Sequence, residues 1–248
     1  MVAEPLILSI ETATLAGSVA LSHGVEILAS LRGDNHTSHS NTLLSDIDSV
    51  LNRAGRALSE VDLFAVAAGP GSFTGLRIGI ATVKGLAFTL QRACVAIPTL
   101  EAVAQSANPC ERVVAVLPAG RGEVFVQLFD VTNDTVNALD SASHISPSQM
   151  LEKYSSIANI CWTGDGAQLN RDGIKETAER NRRLFIEAPA SMDAREGWIL
   201  LPQNPKLAEN VATLALRKSR QNETQKPEDI AAIYVRPSDA ELNTRSVG

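Results

Sequence analysis

The chain has 248 residues, with 22 basic and 28 acidic side chains and a formal net charge of −6. Its 44 % hydrophobic and 20 % charged residues exclude a chain that is disordered, collagen-like or coiled-coil throughout. The negative charge has the wrong sign for a protein that holds a nucleic-acid backbone by itself. We therefore expect a soluble protein long enough for two small domains.

The N-terminal residues carry an acid and a proline instead of the cationic segment of a signal peptide. No apolar run reaches the roughly 20 residues that span a bilayer. Cys94, Cys110 and Cys161 have no CxxC spacing, which argues against a disulfide framework and a zinc ribbon. We expect a cytoplasmic protein without membrane contact, whose thiols are reduced and mostly buried.

The first part of the chain alternates between strand and helix patterns. Short runs separated by turn residues predict an antiparallel meander of strands at 6–11, 18–21 and 27–31. After Ser38 the apolar residues take helical spacing up to Gly55, at Leu43, Leu44, Ile47, Val50, Leu51 and Ala54. A buried parallel strand at 61–68, a helix at 74–91, a strand at 94–97 and a short helix after Thr99 follow.

The second part of the chain opens with strands and closes with helices. Strands are predicted at 113–117, 124–131 and on to about 145, and further short ones at 157–162 and 184–186. Helices are predicted after Ser146 and at 205–220, with polar helical stretches between them. We place the domain boundary between residues 108 and 109, which gives domains 1–108 and 109–248, and predict a loose tail after Val235.

A glycine-rich loop, Gly69-Pro-Gly71-Ser72-Phe-Thr-Gly75, joins the buried strand to the second helix. Backbone amides at this position often bind phosphate. The spacing, however, fits neither GxGxxG nor a Walker loop, and Ser72 is not in a GxSxG elbow. The favoured interpretation is a structural turn with Ser72 or Thr74 capping the helix, and the alternative is a phosphate cradle.

The second helix is apolar or small on more than one side, and its polar edge consists of Arg77, Lys84 and Gln91. A helix on one sheet face needs an apolar stripe of only about 100°. The extra apolar surface is therefore covered either by the rest of this chain or by another subunit, and the pattern alone leaves both possibilities open.

The other candidate functional residues have less specific sequence patterns. His36 and His39 form an HxxH pair that lacks a third ligand, so we expect no metal site. Glu11 ends the first strand where an ATPase could hold Mg²⁺, but solvated strand ends are commoner. Solvated helix faces are the favoured interpretation of the basic clusters, and a contact with RNA or an acidic partner is the alternative. The clusters are Arg180, Arg182, Arg183, Arg217, Lys218 and Arg220.

Several motifs together resemble the TsaB family, in the family's order, from Leu6 to about Glu241. The most specific is Gly69-Pro-Gly-Ser-Phe-Thr-Gly75-Leu-Arg-Ile-Gly79. The others are Ile7-Leu-Ser-Ile-Glu-Thr-Ala13, His39-Ser40, Pro98-Thr-Leu-Glu-Ala102, Gly122-Glu-Val-Phe125 and Tyr234-Val-Arg-Pro237.

The resemblance implies an α/β fold of two actin-like (ASKHA, ribonuclease H-like) domains, with mixed sheets flanked by helices. It further implies a non-catalytic subunit that binds the enzyme TsaD and, with it, the ATPase TsaE. The complex transfers threonylcarbamoyl from an adenylate made by TsaC onto the adenosine beside the anticodon, in tRNAs that read codons starting with A. ATP, Mg²⁺ and that adenylate are handled by the complex, tRNA is met only through it, and the isolated chain forms a homodimer.

The resemblance also assigns residues. The partner is expected on the first two helices, at Leu43, Leu44, Ile47, Leu51, Gly75, Arg77, Ile78, Gly79, Thr82 and Gly85. We expect replacement of Gly75 or Gly79 by Leu to abolish the complex and leave the monomer folded.

A residual nucleotide-like loop would comprise Glu11, Thr12, Gly69, Gly71 and Ser72. This sequence has Glu11 where the family usually has Asp, and Leu117-Pro-Ala-Gly120-Arg in place of a Leu-Asp-Ala-Arg segment. Both departures weaken a nucleotide or metal role. The rival hypothesis is an ATP-dependent enzyme of the same fold that uses Glu11, Thr12 and the glycine loop.

Overall fold

The computed structural model describes residues 4–33, 39–107, 110–133, 135–187, 196–202 and 204–235. A five-stranded sheet comes first, in the spatial order β3-β2-β1-β4-β5. Its strands are β1 (Leu6–Glu11), β2 (Ser18–His23), β3 (Glu26–Arg32), β4 (Leu63–Gly69) and β5 (Ala93–Pro98). The helices connected to it are α1 (His39–Ala54), α2 (Phe73–Leu90) and α3 (Thr99–Ala104).

The predicted meander and the predicted parallel strand are both confirmed. Strands β1, β2 and β3 pair antiparallel, whereas β4 lies between β1 and β5 and is parallel to both. Every residue of β1 and β4 is buried. Central strands covered on both faces are near-continuously apolar, which is the pattern that the sequence shows.

A seven-stranded sheet follows, in the order β11-β12-β10-β6-β7-β8, with β9 paired to β7. Its strands are β6 (Cys110–Gly120), β7 (Glu123–Val131), β8 (Val136–Ala138), β9 (Ser143–Ile145), β10 (Ile160–Thr163), β11 (Phe185–Glu187) and β12 (Trp198–Leu200). The helices of this part are α4 (Pro147–Tyr154), α5 (Asp165–Leu169), α6 (Arg171–Arg180) and α7 (Leu207–Arg220). Strand β12 was not predicted, because three residues are too few to show a period.

Three buried apolar clusters order the elements into layers. Leu8 and Phe64 of the first sheet pack against α1 and α2. The opposite face of that sheet packs with α3, α7 and the second sheet. Trp162 and Trp198, on the far face of the second sheet, pack against α4 and α6. Mixed sheets flanked by helices in this arrangement are the actin-like fold that the family resemblance implied.

The last described segment, which we call the C-terminal strap (residues 222–235), runs back over the first sheet. Gln225 exchanges two backbone hydrogen bonds with Cys94 of β5, at 2.9 and 2.8 Å. The Lys84 ammonium of α2 donates to the carbonyl oxygen of Ile230 at 2.8 Å. Further on, the amide of Ile233 donates to the end of β4 at 2.7 Å.

The two sheets divide between β5 and β6, whereas α7 and the strap, although late in the sequence, pack against the first sheet. The domain boundary at residue 108 stays a prediction, and the tail predicted after Val235 lies outside the described residues.

Candidate functional site

The carboxylate of Glu11 at the end of β1 serves the turn that follows it. Glu11 is 1 % exposed. Its two oxygens accept hydrogen bonds from the amide of Thr14 at 2.6 Å and from the hydroxyl of Thr14 at 2.8 Å. These bonds fix the path of the chain from β1 into the turn before β2, which is a structural use of the acid.

Thr12 fixes the start of α2 against the end of β1. Its hydroxyl donates to the carbonyl oxygen of Gly75 at 2.7 Å. A Cβ atom added at Gly75 would overlap the carbonyl oxygen of Thr12, and one added at Gly79 would overlap its hydroxyl. These glycines thus permit a close contact inside this chain. The expectation that a leucine at Gly75 or Gly79 leaves the monomer folded is therefore corrected, because the side chain would enter the end of β1.

Amides of the glycine loop are used within the chain. The amide of Gly75 donates to the side-chain oxygen of Ser72 at 3.2 Å, which confirms Ser72 as the N-cap of α2. The amide of Ser72 donates to Ala13 at 2.8 Å, and that of Gly69 donates to the hydroxyl of Thr99 at 3.0 Å. A phosphate cradle needs such amides to point at the ligand, so this geometry favours the structural turn.

A cavity of about 130 Å³ lies beside this turn, between the first sheet and α5. Ligand pockets are typically about 300–1,000 Å³, so the space is small for a nucleotide. Its lining includes both acidic and basic side chains, and its main polar residues are Glu11, Thr14, Arg32, Asp165 and Asn204. In the described part of the chain no three His, Cys, Asp or Glu side chains form a group that could hold a metal ion.

The side of α2 that faces away from the first sheet carries apolar and small residues. We call it the α2 outer face and define it by Arg77, Ile78, Ala81, Thr82, Gly85 and Phe88. Phe88 is 75 % exposed, and a Cβ atom added at Gly85 would meet nothing within 4 Å. Among the described helices, α2 alone has the length and mean hydropathy of a membrane-spanning helix, yet its inner side packs on the sheet.

The predicted partner-binding residues separate into two groups. Leu43, Ile47 and Leu51 of α1 are buried against the first sheet, as are Gly75 and Gly79 of α2. Their contacts lie within this chain, so they set where the helices sit and offer no surface to a partner in this conformation. The other five are exposed or half-buried, namely Leu44, Arg77, Ile78, Thr82 and Gly85.

Aromatic residues extend this surface beyond the predicted set. The Arg77 guanidinium lies 3.8 Å above the ring of Phe73, and that ring lies 5.7 Å from the ring of Tyr234 in the strap. Phe88 and Tyr234 were absent from the predicted interface. Phe88 could have been included, because it lies on the same side of α2 as Gly85, Ala81 and Arg77, which precede it by three, seven and eleven residues.

Among the described residues the remaining candidates form no second site. The side chains of His36 and His39 lie outside the described residues. In the basic clusters, Arg217 donates to the amide oxygen of Gln105 at 2.7 Å, and Arg220 pairs with Glu4 at 2.8 Å. Both cations therefore have partners within the chain, and the interpretation of the basic clusters as solvated helix faces stays a prediction.

Comparison with known proteins agrees with this architecture. The family model of TsaD, tRNA N6-adenosine threonylcarbamoyltransferase, matches residues 34–189. The tRNA threonylcarbamoyladenosine biosynthesis protein TsaB of Escherichia coli (strain K12) is 28 % identical over 235 residues, which are 93 % of this chain and 94 % of the relative. The protein of the same description from Bacillus subtilis (strain 168) is 27 % identical over 207 residues, 83 % of this chain and 90 % of its own.

Two solved structures from Pseudomonas aeruginosa have the same fold. One, an uncharacterized protein with similarity to peptidase YEAZ, is 30 % identical with a TM-score of 0.73, over 94 % of this chain and all of its own. The other, YeaZ, is 29 % identical with a TM-score of 0.70, over 93 % of this chain and 99 % of its own. The chain, with its actin-like fold and its GPGSFTGLRIG loop and helix, therefore belongs to the TsaB family.

Proposed function

We propose that this chain is a non-catalytic subunit in the biosynthesis of threonylcarbamoyladenosine in tRNA, and that it acts by binding a TsaD-type protein through the α2 outer face. The relatives that match most of its length are described as tRNA threonylcarbamoyladenosine biosynthesis proteins. The modified base is the adenosine next to the anticodon in tRNAs that read codons starting with A. A TsaE-type ATPase joins the complex, which works in the cytoplasm, and tRNA is met only through the partners.

The main support for this interface is the exposure of the Phe88 side chain. A phenylalanine that is 75 % exposed beside Ala81 and Gly85 leaves a helix side on which another helix can pack closely. Leu44 of the neighbouring helix α1 is 64 % exposed as well. No atom of the described residues lies within 4 Å of a Cβ added at Gly85. A helical partner would cover this surface, and in its absence a second copy of the chain would do so.

The non-catalytic role is supported by the end of β1 and the glycine loop. Glu11 orders its own turn, Thr12 binds α2, and the loop amides of Ser72 and Gly75 donate within the chain. In the proposed complex ATP, Mg²⁺ and the threonylcarbamoyl-adenylate are held by the partner proteins, and this chain holds no cofactor of its own.

Phe88→Asp and Leu169→Asp provide a matched test of the interface. Both residues are 75 % exposed, but Leu169 lies on α5, away from the α2 outer face. We expect Phe88→Asp to abolish the complex with a TsaD-type protein in size-exclusion chromatography with light scattering, and also the homodimer of the isolated chain. Leu169→Asp should bind as the unmodified chain does. Equal binding by both variants would overturn the interface.

The role in modification is tested by reconstitution. With TsaC-, TsaD- and TsaE-type proteins, ATP, threonine, bicarbonate and tRNA, we expect threonylcarbamoyladenosine to form only when this chain is present, as measured by nucleoside mass spectrometry. With the Phe88→Asp variant in place of the unmodified chain, threonylcarbamoyladenosine should not form. Tight Mg-ATP binding by the isolated chain, lost in Glu11→Gln, would instead favour the rival hypothesis of an ATP-dependent enzyme.

A further inference from the structure

Cys110 and Cys161 lie on neighbouring strands of the second sheet. Strands β6 and β10 are parallel, and Cys161 of β10 is beside Val113 of β6. In a regular strand, residues 110 and 113 would point to opposite faces of the sheet. The pairing of β6 with β7 contains a bulge between Cys110 and Val113, where Glu111 and Arg112 oppose a single residue. This extra residue restores Cys110 to the face of Val113 and Cys161.

The two thiols are close enough to interact. Each of the two side chains is the first cause of the shifted pKa of the other, and the Cys110 thiol donates a hydrogen bond to the carbonyl oxygen of Arg112 at 3.8 Å. Cys161 is buried, whereas Cys110 is half-buried and so can be reached by a small molecule. The third cysteine, Cys94, is buried in the first sheet, in a different apolar cluster.

The contact makes the two sulfurs chemically different. The hydrogen bond from Cys161 lowers the pKa of Cys110 to about 7, against the effects of burial and of the Glu111 carboxylate. The same bond, followed by burial, raises the pKa of Cys161. Burial raises the pKa of Cys94 to about 11. Because the thiolate is the nucleophilic form, Cys110 is the cysteine expected to react first at neutral pH.

We propose that Cys110 and Cys161 are a modification site, a dithiol that a hydroperoxide converts into an intrachain disulfide between β6 and β10. Neither the family assignment nor the α2 outer face bears on this pair, so the proposal stands apart from the proposed function.

The chemistry balances with the hydroperoxide as the two-electron oxidant. The Cys110 thiolate attacks the peroxide oxygen, the O–O bond breaks, a sulfenic acid forms, and hydroxide or alkoxide leaves. The Cys161 sulfur then attacks the sulfenic sulfur and forms the S–S bond. Its proton goes to the departing hydroxide, which leaves as water.

The test is a peptide map of the full-length chain after brief treatment with hydrogen peroxide, followed by denaturation and alkylation. Of the three cysteines, we expect Cys94 to remain alkylated while peptides containing Cys110 and Cys161 appear joined, and dithiothreitol should separate them. Random loss of all three thiols, with no joined peptide, would overturn the proposal. This readout uses the unmodified chain and so needs no variant to fold.

Serine variants assign the order of events. Cys161→Ser should stop at a Cys110 sulfenic acid that dimedone traps, and Cys110→Ser should form no disulfide. Cys94→Ser is the matched control and should form the disulfide at the rate of the unmodified chain. Dimedone labelling at Cys161 instead of Cys110 would contradict the assignment of the nucleophile. Circular dichroism on each variant confirms that it is folded.

Discussion

Thr12 Oγ1 donates a hydrogen bond to the carbonyl oxygen of Gly75, at 2.7 Å, and so joins the residue that follows β1 to the first turn of α2. The backbone of Thr12 lies where a side chain at position 75 would have to go. Strand and helix are thus as close as their main chains allow. The position of the α2 outer face depends on this contact, because it fixes one end of the helix against the sheet.

Substitution of Gly75 by Ala is expected to destabilise the folded chain. The added methyl group would overlap the carbonyl oxygen of Thr12, which is backbone and cannot rotate away. Overpacking of this kind costs about 1–3 kcal/mol, and we expect the upper end of that range in urea unfolding.

Gly85→Ala is the matched control on the same helix. The new methyl group meets nothing within 4 Å, and removing an exposed glycine from a helix interior should add about 0.5–1 kcal/mol of stability. If both variants were equally stable, the close approach of Thr12 to Gly75 would be contradicted.

Ser72→Ala should remove the N-cap of α2. The Ser72 oxygen accepts from the amide of Gly75, and loss of such a cap costs about 1 kcal/mol. Ser72→Asp keeps an acceptor and adds a charge that the helix N-terminus favours, so it should unfold at the same urea concentration as the unmodified chain or a higher one. A Ser72→Ala variant of unchanged stability would show that the hydrogen bond contributes nothing.

Glu101→Gln should change how stability depends on pH. Burial raises the pKa of Glu101, although the nearby cations Lys218 and Arg217 oppose the effect. The unfolded chain therefore releases this proton at a lower pH than the folded chain does, so the group lowers stability as pH rises through the interval between the two pKa values.

The glutamine variant should accordingly be more stable than the unmodified chain at neutral pH, with the difference vanishing well below the ordinary glutamate pKa of about 4.3. Urea unfolding at both pH values measures this. A variant that is less stable at neutral pH would mean that Lys218 and Arg217 stabilise the Glu101 carboxylate by more than its burial destabilises it.

Lys84→Met should loosen the C-terminal strap. The ammonium donates to the carbonyl oxygens of Ile230 and Glu228, at 2.8 and 3.2 Å. Hydrogen bonds to charged groups contribute about 1.5–3 kcal/mol, so we expect at least a roughly tenfold faster amide exchange at Ile233. Lys226→Met, at an exposed lysine of the strap itself, is the control and should leave the exchange unchanged.

The spacing of apolar and turn residues along the sequence predicted most of the first sheet. Strand β1 begins and ends where its apolar run predicted, and α2 is displaced by one residue at each end. The sequence also predicted that α2 has more apolar surface than one sheet can cover. It could not distinguish Gly75, which faces Thr12, from Gly85, which faces solvent. The spacing of apolar residues does not show which other elements pack against each side of the helix. The strap has no period, so its path was not predicted.

The late position of α7 and the strap has a consequence for synthesis on the ribosome. Strand β5 ends at Pro98, but the first sheet receives its covering helix α7 only at residues 207–220 and the backbone partner of β4 at Ile233. At about 5–20 residues per second, the part of the apolar sheet face that α7 covers stays in contact with water for on the order of ten seconds. A nascent chain of this length therefore presents a natural substrate for chaperones, and a truncated product would expose the same face permanently.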